Sequence, residues 1–164
     1  MKTAYLLIGG NLGNRYAYLQ KAVSLIQQFC GKIVHSSGVY ETAAWGKTDQ
    51  PAFYNQAIAL ETALSPNDLM LKLLEIETAM GRERKEKLGP RIIDLDILLI
   101  DHLILATTLL QVPHPALPFR RFALLPLFEI APEIIHPILH KTIAQLLADC
   151  SDELDVQKKS SYPT

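Results

Sequence analysis

Residues 81–101 read GRERKEKLGPRIIDLDILLID, and the two halves of this stretch differ sharply in character. The first half is basic, with Arg82, Arg84, Lys85, Lys87 and Arg91, and Gly89-Pro90 marks it as a loop. The second half, Ile92–Ile100, is an Ile/Leu run of strand length that carries Asp94 and Asp96. Residues two apart on a strand point to the same face, with Cα atoms roughly 6.5–7 Å apart. Carboxylates are rarely buried unless they are paired or bound to a metal, so an apolar strand that holds two of them puts them to use. Hard oxygen ligands suit Mg²⁺, which is commonly held by one or two carboxylates together with nucleotide phosphates. The arginines upstream offer planar, permanently charged forks for phosphate oxygens. Acids for metal beside arginines for phosphate point to phosphoryl or nucleotidyl transfer. The same D-x-D also fits an ion-paired couple facing Arg82 and Arg91, or a solvated strand face, because so short a motif is weak alone.

Taken whole, the string GRxR…GPRxxDLDIL is far more specific. It resembles the signature of the 6-hydroxymethyl-7,8-dihydropterin pyrophosphokinase family, also called 2-amino-4-hydroxy-6-hydroxymethyldihydropteridine diphosphokinases, which act in the folate pathway. The resemblance runs from Tyr5 to about Glu133 and is strongest over residues 81–99 and 112–133.

Upstream, Thr3–Ile8 reads as a buried strand closed by Gly9, Gly10 and Gly13. A helix over Arg15–Phe29 follows, with Asn14 as its cap and Leu19, Ala22, Val23, Leu25, Ile26 and Phe29 on one apolar face. The glycine turn lacks the G-K-[ST] of a P-loop and the spacing of a dinucleotide fingerprint. The family's G-S-N-L stands here as Gly9-Gly10-Asn11-Leu12. Lys32–Tyr40 and Phe53–Leu60 read as two further strands. Between them Glu41–Ala52 is a loop holding the only Trp, either a plug on the core edge or a lid over a ligand. Ser65–Met80 is a helix with Ser65 as cap, Pro66 in its first turn and Gly81 as its stop. Downstream, Asp101-His102 reads as a hairpin turn, Leu103–Leu105 as a return strand and Leu109–Val112 as another short strand. Phe122–Ile130 and Thr142–Ala148 read as helices.

The order strand, helix, strand, strand, helix, strand predicts an α+β, ferredoxin-like split β-α-β sheet with helices on one face, then a C-terminal hairpin and helices. At 164 residues this is one domain over 1–150, followed by a polar, frayed tail over 151–164. The net charge of −1 gives no global attraction to nucleic acid or anionic membrane. Two isolated cysteines, a first apolar run too short for a signal peptide and no apolar run of about 18 residues lead to a cytoplasmic location. The expected partners are small molecules, and the chain is expected to work as a monomer.

The resemblance implies a reaction in which MgATP gives its pyrophosphoryl group to the hydroxymethyl of the dihydropterin, releasing AMP. It implies two Mg²⁺ ions on Asp94 and Asp96, with Arg82 and Arg91 joining them as catalytic residues. ATP contacts are implied for Glu77, Arg82, Arg84, Arg91, His114 and Arg120. Pterin contacts are implied for Thr42, Ala43, Trp45, Phe53, Asn55, Asp94 and Phe122. Asn55 offers both a donor and an acceptor to the amide-like edge of a pterin, and Phe53 and Phe122 would sandwich the flat ring. Glu77 either orients an arginine or contacts the nucleotide. Leu88 stands where the family often has Trp, in a loop one residue shorter than in some members, and Ala43-Ala44 where it commonly has Pro. Two other readings are a non-catalytic binding module that needs no Mg²⁺ and another Mg-dependent phosphoryl or nucleotidyl transferase.

Overall fold

Strand β1 (Lys2–Gly10) is apolar on both sides and therefore lies inside the sheet, with Ala4, Leu6 and Ile8 on one face and Leu7 on the other. The computed structural model describes residues 1–43, 49–83 and 89–160. Helix α1 (Arg15–Phe29) starts where the Asn14 side chain accepts the Ala17 N–H at 3.1 Å, and it buries Leu19, Ala22 and Ile26. Phe29, expected on that apolar face, instead turns outward and is 49% exposed, with the Lys72 ammonium over its ring.

The expected strand over Lys32–Tyr40 divides in two, β2 (Lys32–Ser36) and β3 (Tyr40–Thr42). Both pair antiparallel with β4 (Phe53–Thr62). Ser36 faces Ile58 and Tyr40 faces Asn55, so this strand spends one more residue than its partner and the ladder breaks. In the gap the Ser37 hydroxyl accepts the Ala57 N–H at 2.9 Å, and the Gly38 N–H goes to Glu129 at 3.0 Å.

Helix α2 (Pro66–Ala79) is capped by Ser65 and buries Leu69, Leu73, Ile76 and Glu77. Gly81 follows it at φ 95°, a left-handed stop that favours glycine. Strand β5 (Asp94–Ile100) then returns to β1. It carries one surplus residue: Leu6 faces Ile97 and Tyr5 faces Leu99, leaving Leu98 over. Before this bulge Leu95 and Ile97 join the core of one face; after it Ile100 does, while Leu98 and Leu99 belong to the other.

Beyond β5 the chain makes β6 (Leu105–Ala106) and β7 (Gln111–Val112). The expected return strand does not pair with β5: β6 pairs with β7 in a separate two-stranded sheet. A 3-10 turn (Leu117–Phe119), α3 (Arg121–Ile130) and α4 (Ile143–Asp149) come next. Finally β8 (Val156–Lys158) pairs with β3, so part of the tail expected to fray is an edge strand. It does so because β3 offers an unpaired edge there.

The main sheet runs β5-β1-β4-β3-β8, with β2 also on β4. The β-α-β-β-α-β ferredoxin-like order places the first and last strands of the pattern side by side. Helices α1 and α2 cover one face, as expected; α3 and α4 cover part of the opposite face, over Leu7, Leu98 and Leu99. Among the described residues no helix is long and apolar enough to cross a membrane.

Candidate active site

On the α3 side of the sheet the apolar core stops short. Leu7 is its last member, and beyond it the same face continues through Gly9, Asn55, Asp94 and Asp96 around a cavity of about 220 Å³. Cross-strand pairing fixes this floor. Gly9 lies between Asn55 and Asp94, and Leu7 faces Asp96. Gly9 must lack a side chain, because a Cβ there would collide with the Asn55 carboxamide oxygen. Asn55 is 5% exposed and faces the cavity.

Phe53 and Phe122 stand at the walls, and each has an arginine over its ring. Arg91 lies 5.1 Å from the Phe53 centroid and Arg120 5.6 Å from that of Phe122. Thr42, Ala43 and His114 complete the lining. The Nδ1 of His114 accepts the Ala116 N–H at 3.1 Å, which leaves Nε2 for the cavity. Burial and the nearby Arg120 charge lower the His114 pKa, so the ring is neutral at pH 7.

The two aspartates have unequal surroundings. Asp94 Oδ1 takes the Arg82 Nη1–H at 2.7 Å, and its Oδ2 lies 3.8 Å from Arg91 Nη1. The ion-paired alternative thus describes Asp94. Asp96 has no such hydrogen bond among the described residues. Burial first, and then the Asp94 charge, push its carboxyl up to about 8, against the pull of Arg120 and Arg91. One strand face therefore holds two close carboxylates, one paired with arginine and one without a hydrogen-bond partner among the described residues.

Glu77 is 3% exposed and lines neither cavity. Its Oε2 accepts from Arg82 at 3.0 Å and from the Leu95 N–H at 2.7 Å. It ties the end of α2 to the start of β5 and aims Arg82 at Asp94. Burial opposes the charge of Arg82, but Asp94 and Glu77 outweigh it and raise its pKa.

A second cavity, about 420 Å³, shares Asp96 and His114 with the first. Met70, Ile97, Leu109, Leu110 and Pro115 give it apolar walls, and Thr107, Thr108 and Gln111 a polar side. Sequence reasoning missed these residues, since nothing in their types distinguishes them from core and turn. It also missed Asn11. The Asn11 side chain donates to Gln50 Oε1 at 2.8 Å and to the Pro51 carbonyl at 2.9 Å, and accepts the Arg91 N–H at 2.9 Å. It joins the end of one loop to the end of the other. The turn Gly9-Gly10-Asn11-Leu12 was the only signal. Trp45, Arg84 and Leu88 lie outside the described residues. Among those described, no group of three or more His, Cys, Asp or Glu side chains could hold a metal by itself.

A family profile described as 7,8-dihydro-6-hydroxymethylpterin-pyrophosphokinase (HPPK) matches residues 5–132. A protein of Aquifex aeolicus named 2-amino-4-hydroxy-6-hydroxymethyldihydropteridine pyrophosphokinase is 43% identical over 88% of this chain and 90% of its own length. A Methylorubrum extorquens protein of the same name is 40% identical over 90% and 93%. The folic acid synthesis protein fol1 of Schizosaccharomyces pombe is 36% identical over 89% of this chain, which spans only 20% of that longer protein. The fold is similar to a crystal structure of an HPPK-DHPS protein in complex with substrates, at TM-score 0.75 and 18% identity, over 90% of this chain and 43% of that one.

Proposed function

From the premise that this chain belongs to the 7,8-dihydro-6-hydroxymethylpterin-pyrophosphokinase family and is a pyrophosphokinase of folate biosynthesis, we propose that it moves the β,γ-pyrophosphoryl group of ATP onto the hydroxymethyl oxygen of 6-hydroxymethyl-7,8-dihydropterin. The alcohol oxygen bonds to the β-phosphorus, the bond from that phosphorus to the bridging oxygen of AMP breaks, and the hydroxyl proton is released. The products are AMP and the dihydropterin diphosphate.

The observation that carries the reading is the position of Asp96 and His114, which border both cavities. The smaller one has the parts for a flat amide-bearing ring: Phe53 and Phe122 for its faces and Asn55 for its edge. The other has apolar walls in Met70, Ile97 and Leu109 for a nucleoside base. A triphosphate running from the second to the first would pass Arg91, His114 and Arg120. These groups stabilise charge on the phosphates. Thr42 and Ala43 border the pterin. Arg82 acts from below by holding Asp94, and Arg84 and Trp45 are assigned to closure over the substrates.

The donor set fits magnesium. Asp94 and Asp96 are hard oxygen ligands on one strand face, and burial beside Asp94 penalises the ionised form of Asp96, a penalty that a bound cation would relieve. Asp94 and Asp96 would hold two Mg²⁺ ions, with phosphate oxygens supplying further ligands. When bound, the metal neutralises phosphate charge and lowers the cost of ionising the alcohol. Placing both substrates in one site supplies up to ~7–11 kcal/mol of the barrier. In this reading the protein works as a cytoplasmic monomer on small molecules.

The test is to mix purified protein with MgATP and the dihydropterin and identify the nucleotide formed. AMP is expected. ADP would make it an ordinary kinase, and pterin binding without turnover or need for Mg²⁺ would make it a binding module.

A further inference from the structure

We propose that residues 152–159 form a strap that positions the two walls of the pterin cavity relative to each other, which rests on the reading above and extends it to a segment outside the family match at residues 5–132. One end of the strap holds α3. Asp152 Oδ2 accepts the Arg121 N–H at 3.1 Å, while Oδ1 accepts the Leu154 N–H at 3.1 Å, so one carboxylate caps the helix and fixes its own turn. The residues on either side of Arg121 are Arg120 and Phe122, both on the cavity wall.

The other end holds β3. Thr42 Oγ1 donates to the Asp155 carbonyl at 3.0 Å, Val156–Lys158 pairs with Tyr40–Thr42, and the Lys159 N–H goes to the Val39 carbonyl at 2.8 Å. Lys159 Nζ lies 3.6 Å from Glu41, whose carboxylate also takes Arg15 at 2.9 Å. Thr42 and Ala43, at the end of β3, line the same cavity. Between these ends Lys158 Nζ crosses back to Glu129 of α3 at 3.1 Å.

A strand of three residues has little hold on its own position when one of its edges is bare. The strap covers that edge and caps the helix across from it, so it fixes where Thr42 and Phe122 stand. Among the described residues none of its hydrogen bonds or ion pairs goes to the aspartates or to the lining of the second cavity. Loosening the strap should therefore weaken the pterin side more than the nucleotide side, which it reaches only through Arg120.

The experiment is steady-state turnover of the full chain carrying Asp152→Ala together with Lys159→Ala, beside Asp152→Asn, which keeps an oxygen acceptor for the Arg121 N–H. The double variant is expected to raise KM for the dihydropterin at least fivefold and the KM for ATP less than half as much, and Asp152→Asn to stay near the parent. A fall in melting temperature with unchanged pterin KM would overturn the proposal and leave a plain structural brace. An equal loss on the ATP side would overturn it as well. If the parent chain itself forms no AMP, the pyrophosphokinase reading fails, and amide hydrogen exchange still decides on the strap. Faster exchange at Ala43 and Ala123 in the double variant is expected, and unchanged exchange at both would remove it.

Discussion

At the scale of single residues, Asp94 and Asp96 should behave differently when removed. Asp94→Ala deletes one of the carboxylates that neutralise Arg82, whose side chain is 11% exposed. It should cost about 1–3 kcal/mol of stability as well as turnover. Asp96→Ala removes a carboxyl with no hydrogen-bond partner among the described residues, and should leave the melting temperature at or above that of the parent. Both should lower kcat at least ~10³-fold, because metal charge on the phosphates is lost. Equal melting temperatures for the two variants would contradict the division of labour, and near-normal turnover in either would end the metal assignment. Asn55→Ala should weaken dihydropterin binding in a titration and leave nucleotide affinity nearly unchanged. Gly9→Ala, though it adds one methyl, should imitate it by pushing the Asn55 carboxamide aside. Retained pterin affinity in Gly9→Ala would show that the oxygen of Asn55 is free to move.

At the scale of elements, Glu129 is the pin between α3 and β3. Burial opposes its charge, but hydrogen bonds from Tyr40 at 2.6 Å, Lys158 and the Gly38 N–H outweigh it and hold its carboxyl below the ordinary range. A depressed carboxyl stabilises the fold above its unfolded pKa, and that contribution is lost as pH falls through the folded value. Glu129→Gln should therefore cost about 1–2 kcal/mol in denaturant melts at pH 7 and much less near pH 3; an equal cost at both would rule out the ionised form as the source. The same region shows why some elements were legible and others were not. Helices α1 and α2 carry their signals locally, in Asn14 and Ser65 as caps and in the spacing of Leu19, Ala22 and Ile26 and of Leu69, Leu73 and Ile76. The break between β2 and β3 depends on Gly38 finding Glu129, 91 residues away, and β8 depends on an edge that exists only once the sheet is built. Strands β6 and β7 are too short for a periodicity to register.

At the scale of the whole molecule, the cavity assembles β1, β3, β4, β5 and the start of α3, and most of its lining was named from the sequence because those residues carry distinctive chemistry. Carboxylates in a greasy strand and arginines beside glycine and proline stand out. Met70, Ile97 and Leu109 do not, since apolar residues that line a cavity read the same as those that fill a core. A non-hydrolysable ATP analogue with magnesium should stabilise the folded chain by about 2.7 kcal/mol at a hundred times its Kd. The analogue with EDTA should give less than half of the thermal shift, and equal shifts would place the nucleotide away from the aspartates. The bulge at Leu98 has its own consequence for such a chain. Excising that lone leucine would leave Leu6 opposite Ile97 and Tyr5 opposite Leu99, a regular ladder with both acids where they stand. A second lost residue would find no such slack: both acids would then turn through the sheet into oil, and a chain that had lost no polar atom would have lost its chemistry.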